Sequence, residues 1–232
     1  HASTPVKGTP IARLSAFVNE VETHSPFRKK MLPEVSAMFT ALAPYAGFGM
    51  KLVFGNLWLF GPLLKAVMPS LSAQAGAMLK TTIAFTVQKG SDAYNVLPQE
   101  AYVGANMRFI PHQGEKESLE IIKKVADKYG LETEVLHAND YTPPVDIHGE
   151  AFHLVEQTIA DTFPGLPSSP YVMTGATDAQ FYQPICKSCI RFAPVIYGPE
   201  QMKGMHGLNE NIEYNCLPGA VRFYKNLIRA EK

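Results

Sequence analysis

The sequence predicts an α/β chain in two parts: an α+β unit with an antiparallel sheet and helices on one face, then the closing part of a larger α/β sheet. Two observations predict it. Up to residue 137 the apolar periodicity runs helix, strand, strand, helix, strand, the order of helices layered on an antiparallel sheet. Beyond the turn-rich hinge Asn139–Pro144, residues 140–232 read as helices with only two short apolar strands, too little sheet to stand alone. The expected division is 1–139, with an apolar insertion over about 25–80, and 140–232.

Thr9 and Pro10 open the first helix as N-cap and first-turn proline, and Ile11, Leu14, Phe17, Val18 and Val21 repeat at spacings of three and four. From Thr23 to Gln74 five prolines (Pro26, Pro33, Pro44, Pro62, Pro69) are expected to chop the chain into short helices and turns. Thr81–Lys89 and Ala101–Ile110 are β-branched and aromatic with alternation, so they read as an antiparallel pair. Glu115–Tyr129 is helical, with Leu119, Ile122, Val125 and Tyr129 on one face and Gly130 as the left-handed stop. A third strand is expected at Glu132–His137, and one more strand before His1 would complete the layer. In the second part Phe152, Val155, Ile159 and Phe163 stripe a helix, Pro170–Met173 and Ile190–Val195 read as strands, and Pro218 opens a final helix striped by Val221, Tyr224 and Ile228.

Formal net charge is zero and charged residues make up 18% of the 232, the balance of a globular chain rather than a disordered one. The first 139 residues carry +3 and the remainder −3, so neither part looks like a binder of nucleic acid. Three cysteines are too few for a disulfide scaffold and favour a reducing compartment, so a cytoplasmic location is expected. The opening residues show no signal-peptide pattern. The run Gly47–Leu71 is unusually apolar, but its longest charge-free stretch, Leu52–Leu64, is 13 residues and contains Gly55, Gly61 and Pro62, against the roughly 20 apolar residues a span needs. No membrane span is expected. Buried helices, contact with a membrane surface and an acyl-chain surface remain open for this run.

Several residue groups could carry chemistry. His206, in His206-Gly207-Leu208-Asn209-Glu210, suits a metal ligand that Asn209 or Glu210 could orient, or is a plain surface histidine. The amides of Gly175, Ala176 and Thr177 could cradle an anion such as a carboxylate, or the segment is a turn with Asp178 capping a helix. Arg108 offers a planar fork for a carboxylate, and Asn95 an amide donor for a carbonyl oxygen; a solvated sheet face is the bland alternative for Arg108. Cys186 and Cys189 have dithiol spacing, which marks a redox or metal switch only if a thiol pKa is depressed. Phosphate-loop, dinucleotide-glycine and Gly-x-Ser-x-Gly patterns are absent from the sequence.

In order, His1-Ala2-Ser3-Thr4-Pro5, Asn95-Val96-Leu97-Pro98, Asn106-Met107-Arg108-Phe109, Thr174-Gly175-Ala176-Thr177-Asp178 and His206-Gly207-Leu208-Asn209-Glu210 make the chain resemble the dizinc metallopeptidases that include carboxypeptidase S, aminoacylase and succinyl-diaminopimelate desuccinylase. The Asn56-Leu57-Trp58-Leu59-Phe60 insertion is most similar to the carboxypeptidase S and N-fatty-acyl amino acid amidohydrolase branch. The resemblance implies that 1–139 is a lid or dimerisation domain inserted into a catalytic domain, and that 140–232 is that domain's C-terminal part. It implies a homodimer, two zinc ions in the intact enzyme, and hydrolysis of the amide bond of an N-acyl amino acid or of a peptide with a free C-terminal carboxylate.

By the same resemblance His206 is a zinc ligand, Gly175 to Thr177 line the carboxylate end, Asn95 and Arg108 hold the substrate, and His1 reaches across the dimer to the polarised carbonyl as a catalytic donor. The family's His-x-Asp signature and adjacent acidic pair do not occur in this sequence, and Asn106 stands where many relatives have Asp. The 232 residues are therefore expected to lack the N-terminal metal-binding section and to be inactive alone, with at most one incomplete ligand set. A non-catalytic dimerisation module is the alternative reading.

Overall fold

The computed structural model describes residues 1–231, and of residue 71 the backbone only; Lys232, the end of the expected second part, lies outside the described residues. The elements are α1 (Pro10–Thr23), α2 (Pro33–Leu42), α3 (Phe48–Gly55), α4 (Leu57–Leu71), α5 (Ala73–Ala77), β1 (Thr82–Lys89), β2 (Tyr102–Arg108), α6 (Glu115–Lys128), α7 (Glu150–Thr162), α8 (Ala179–Tyr182), α9 (Pro199–Gly204) and α10 (Leu217–Ala230), with 3-10 turns at Ala43–Tyr45 and Tyr214–Cys216. Among the described residues these are helices and one antiparallel hairpin, a mixed α/β composition. Two compact units emerge: His1–Leu32 with Asn56–Pro143, and Pro33–Gly55 with the chain from Pro144 onward.

In the first unit β1 and β2 pair antiparallel from Thr82↔Arg108 to Lys89↔Tyr102, with an irregularity between Phe85 and Val87. Ile83 and Phe85 of β1 and Val103 and Met107 of β2 pack on a core built from Phe17 and Val21 of α1, Phe27 of the loop that follows it, and Ile122, Val125 and Ala126 of α6. Phe17 meets the Phe85 ring edge-on at 5.6 Å, a favoured aromatic geometry. Alternation then puts Ala84, Asn106 and Arg108 on the other face, and all three are exposed. Helices therefore cover one face of the sheet and leave the other open.

Local chemistry fixes the ends of α1 and α6. Thr9 Oγ1 accepts from the Ala12 amide at 3.3 Å, the expected N-cap. Gly130, at φ +61°, closes α6: its amide donates to Asp127 O and the Leu131 amide to Ala126 O, both at 3.1 Å, the paired bonds of a Schellman stop. The Arg13 guanidinium donates to Gly130 O at 3.0 Å, tying α1 to that stop. A buried polar knot joins three stretches of chain. The hydroxyls of Thr81 and Ser118 each donate to Gln113 O at 2.9 Å, and Gln113 Oε1 accepts from the Arg28 amide at 3.0 Å. Thr81, Ser118 and Gln113 are all fully buried, so these bonds offset a desolvation cost that an unpaired group would carry.

Several expectations are corrected. Glu132–His137 is not a strand but an exposed extended segment with Leu136 at 88% exposure; a strand is a ladder, and no chain lies alongside this one among the described residues. Pro170–Met173 and Ile190–Val195 also form no ladder. The amides of Ile190 and Val195 donate two residues back, to Ser188 O and Ala193 O, so tight turns take the bonds a sheet would have used. The insertion is divided into short helices and turns as its prolines predict, except that α4 runs through both Pro62 and Pro69.

In the second unit α7 and α10 pack together. Asn226 Nδ2 donates to Thr162 Oγ1 at 3.1 Å and Arg222 to Thr162 O at 3.2 Å. The two helices approach at Gly219, where a Cβ would stand 2.9 Å from the Phe163 ring. The stripe expected to bury α10 is instead its outer face: Val221, Tyr224 and Ile228 are exposed, while Ala220 and Phe223 are buried. Helix period alone does not choose between two apolar stripes.

Candidate functional site

His1, Asn95 and Arg108 all belong to the first unit, but the hairpin separates them. Asn95 lies in the loop beyond Lys89 and before Tyr102, whereas Arg108 pairs with Thr82 at the opposite end. The strand from Tyr102 to Arg108 alone spans about 20 Å at about 3.4 Å per residue. His1 joins Asn95 at the loop end, where the Ala2 amide donates to Asn95 O at 3.0 Å. The Ser3 amide donates to His1 Nδ1 at 3.3 Å, and Ser3 Oγ lies 2.8 Å from the same nitrogen. A backbone N–H can only donate, so Nδ1 is the acceptor and the neutral ring carries its proton on Nε2. The ring is exposed and presents that Nε2–H outward. Asn106 and Arg108 sit two residues apart on the open sheet face.

The remaining candidates lie in the second unit. Gly175 and Ala176 are exposed in a loop, and nothing stands within 4 Å of a Cβ built on Gly175. Thr177 is half-buried, and its Oγ1 accepts from Arg191 Nε at 3.1 Å. Arg191 also reaches Cys189 O at 3.5 Å. Asp178 precedes α8, yet no side-chain bond caps that four-residue helix, so the cap reading of Asp178 falls away. Sequence reasoning missed Arg191; no short spacing rule links residues 177 and 191.

His206 and Asn209 are the non-glycine residues with positive φ among the described residues, at +61° and +63°. Such left-handed backbone is tolerated by His and Asn more readily than by most side chains, and it gathers at functional turns. The Gly207 amide donates to Gly204 O at 2.9 Å, folding the turn so that His206, Asn209 and Glu210 are exposed on it. No hydrogen bond joins the His206 ring to Asn209 or Glu210 among the described residues.

A metal centre needs converging ligands. Among the described residues no group of three or more His, Cys, Asp or Glu could hold a metal ion, so this chain by itself does not fit a two-metal site. Cys189 does not carry the depressed thiol that a redox or metal switch would need either. Cys189 Sγ donates to Cys186 O at 3.2 Å, and partial burial, then its hydrogen bond with Cys186, push its thiol up from the ordinary value. The shift is opposite to the one a reactive thiolate requires.

The five ordered motifs lie on a chain of mixed α/β composition, with a helix-backed hairpin in its first unit and the His206 turn in its second. The family model described as Peptidase family M20/M25/M40 matches residues 20–230, and the chain belongs to that family. It is 32% identical to the N-fatty-acyl-amino acid synthase/hydrolase PM20D1 of Xenopus tropicalis, over 99% of this chain and 45% of that protein. It is 31% identical to the human protein of the same name, over 99% and 46%. The probable carboxypeptidase S-like 2 of Dictyostelium discoideum is 25% identical, over 99% and 44%. The chain therefore spans a little under half the length of these relatives. No solved structure matches it.

Proposed function

We propose that this chain is the lid and C-terminal catalytic segment of a metal-dependent amidohydrolase that cleaves the amide bond of an N-acyl amino acid, or of a peptide with a free C-terminal carboxylate. The observation that carries the reading is the family match across residues 20–230, together with relatives whose names specify N-fatty-acyl amino acids and a carboxypeptidase. Two zinc ions would supply Lewis-acid chemistry in the intact enzyme. His206 is the residue of this chain that would hold one of them.

The chain's own residues bind and polarise. Arg108 and the amides of Gly175, Ala176 and Thr177 receive the carboxylate, a charge-assisted contact. His1 Nε2–H and the Asn95 amide donate to the carbonyl oxygen, where negative charge develops as the bond is attacked. In a small N-acyl amino acid the carboxylate and the amide carbonyl are close neighbours, whereas Asn95 and Arg108 lie a strand length apart. This favours a homodimer in which one copy supplies His1 and Asn95 and the other Arg108. Asn209 and Glu210 are proposed to position His206 once a metal is bound.

The test combines this chain with a separately produced N-terminal section of the parent and measures amino-acid release from N-acyl substrates with zinc. Activity in the mixture and none in the chain alone is expected, with His206→Ala losing metal and rate. Mixing His1→Ala and Arg108→Ala variants, each inactive, restores part of the rate if the site is shared between copies. Full zinc content and rate in His206→Ala would falsify the assignment.

For the chain by itself a second reading holds: a dimerisation module without catalysis, favoured by the open sheet face and by the lack of a metal-holding group among the described residues. It predicts a stable dimer in sedimentation that binds no stoichiometric metal.

A further inference from the structure

α4 buries Leu64 and Met68 but turns a broader apolar stripe outward. Trp58 is 81% exposed, Leu63 61%, Leu59 55% and Val67 40%, and Pro62 and Ala66 between them are exposed too. These six residues recur at i, i+1, i+4, i+5, i+8 and i+9, so at helical pitch they form one continuous face without a polar interruption. A helix of a water-soluble unit normally shows the reverse pattern, and exposed apolar faces of this kind mark interaction sites.

Charge decides what covers it. Residues 35–91 contain four lysines and not one Asp or Glu; of these Lys89 is paired with Asp92, and upstream Arg28 is paired with Glu117, so Lys65, on α4 itself, is the cation that borders the stripe. Lys65 sits two helical turns after Trp58, so it borders the stripe along Trp58's edge, half-buried against the helix. A second copy docked symmetrically on this face would bring lysine toward lysine, with no carboxylate in the whole stretch to pair either. An anionic lipid surface takes all of these features at once: apolar side chains enter the acyl boundary, the indole sits at headgroup level and the ammonium groups meet phosphates. α4 has 15 residues, short of the roughly 20 that a span needs, and this length suits a helix lying in the interface plane.

We propose that α4 docks the chain on the surface of an anionic phospholipid bilayer through Trp58, Leu59, Leu63 and Val67, with Lys65 as a rim cation. This is independent of the reaction proposed above and extends to a surface that reaction does not use.

The chain holds a single tryptophan, so its fluorescence reports on α4 directly. The full chain is titrated with vesicles of phosphatidylcholine alone and of phosphatidylcholine and phosphatidylserine in equal parts, some carrying brominated acyl chains. Trp58 emission is expected to move to shorter wavelength and to be quenched by bromine in the phosphatidylserine vesicles, more weakly as salt is raised. Lys65→Gln should lower the partition by about fivefold, the scale of one basic residue at such a surface. Leu59→Glu with Leu63→Glu should abolish it; both positions are exposed, and unchanged circular dichroism shows that the fold is kept. The proposal is overturned if vesicles leave the emission unchanged, if the shift follows protein concentration without lipid, if only a soluble N-acyl amino acid produces it, or if both vesicles bind equally and Lys65→Gln has no effect.

Discussion

Asp140 caps a helix to which it does not belong: its Oδ1 accepts the Glu115 amide at 2.8 Å, together with its neighbour Tyr141's amide at 2.7 Å. Gly114, at the N-cap position of α6, has no side chain to satisfy that amide, and a Cβ there would stand 2.9 Å from Asp140 Oδ1. The C-terminal end of the first unit, which runs to Pro143, is thus fastened to the start of α6. Asp140→Ala should cost about 1 kcal/mol of stability in urea unfolding, the usual scale of a lost N-cap, and Asp140→Asn less. An unchanged midpoint for Asp140→Ala would show that the bond contributes nothing.

Gly130 and Gly219 are needed for different reasons. At Gly130 the backbone is left-handed at φ +61° and a Cβ would come within 3.1 Å of the Arg13 guanidinium, so Gly130→Ala should cost about 1 to 2 kcal/mol. At Gly219 the obstacle is the Phe163 ring 2.9 Å away. There the double change Gly219→Ala, Phe163→Leu should recover part of the loss, as neighbouring sites are coupled. Thermal unfolding of the single and double variants separates backbone strain from crowding.

Glu20 links α1 to the end of α6, accepting Lys128 Nζ at 2.7 Å and the Tyr129 hydroxyl at 2.5 Å. The Lys128 contact first, then the Tyr129 hydroxyl, hold its carboxyl below the ordinary value. A depressed carboxyl contributes stability above its unfolded pKa and loses it as pH falls through the folded one. Tyr129, raised by the same hydrogen bond, contributes while its phenol is neutral and loses that as pH rises through its folded value. Glu20→Gln should therefore flatten the acid limb of a stability profile below about pH 4.5 and change the alkaline limb through Tyr129. Parallel acid limbs for the variant and the parent would rule this out.

Arg191 holds the loop proposed to receive the carboxylate, through its Nε–H bond to Thr177 Oγ1. Arg191→Lys keeps the charge and loses that donor geometry. The Gln180 amide, which donates to Thr177 O at 3.2 Å, should then exchange with solvent about fivefold faster, as expected for roughly 1 kcal/mol of lost local order. Equal exchange in both proteins would mean that the loop is held without Arg191.

The helices and the hairpin were legible where the signal is local. Thr9 before Pro10, the alternation around Phe85 and Val103, and Gly130 after Tyr129 each specify geometry within a few residues. The strands expected at Glu132, Pro170 and Ile190 failed because a strand is defined by a neighbour that periodicity cannot see. The α10 stripe failed because Val221, Tyr224 and Ile228 satisfy the helical period as well as Ala220 and Phe223 do. Of the candidate site, residue types were readable and proximity was not. Asn95 and Arg108 look close along the chain yet sit at opposite ends of a hairpin, while His1 meets Asn95 across most of the first unit's sequence. Ser3, two residues after His1, was the one local hint that the imidazole's tautomer is set by its own turn.

The knot of Thr81, Gln113 and Ser118 treats shape and direction differently from the rest of the first unit. Around Val21 and Val125 volume-conserving apolar exchanges are tolerated best, because dispersion depends on fit and not on the direction of a proton. The Gln113 carbonyl, by contrast, recognises where a proton points. Thr81→Val would fill the same space and leave the Gln113 carbonyl with the Ser118 hydroxyl alone, so this junction resists change in the very currency that cores ordinarily exchange more freely.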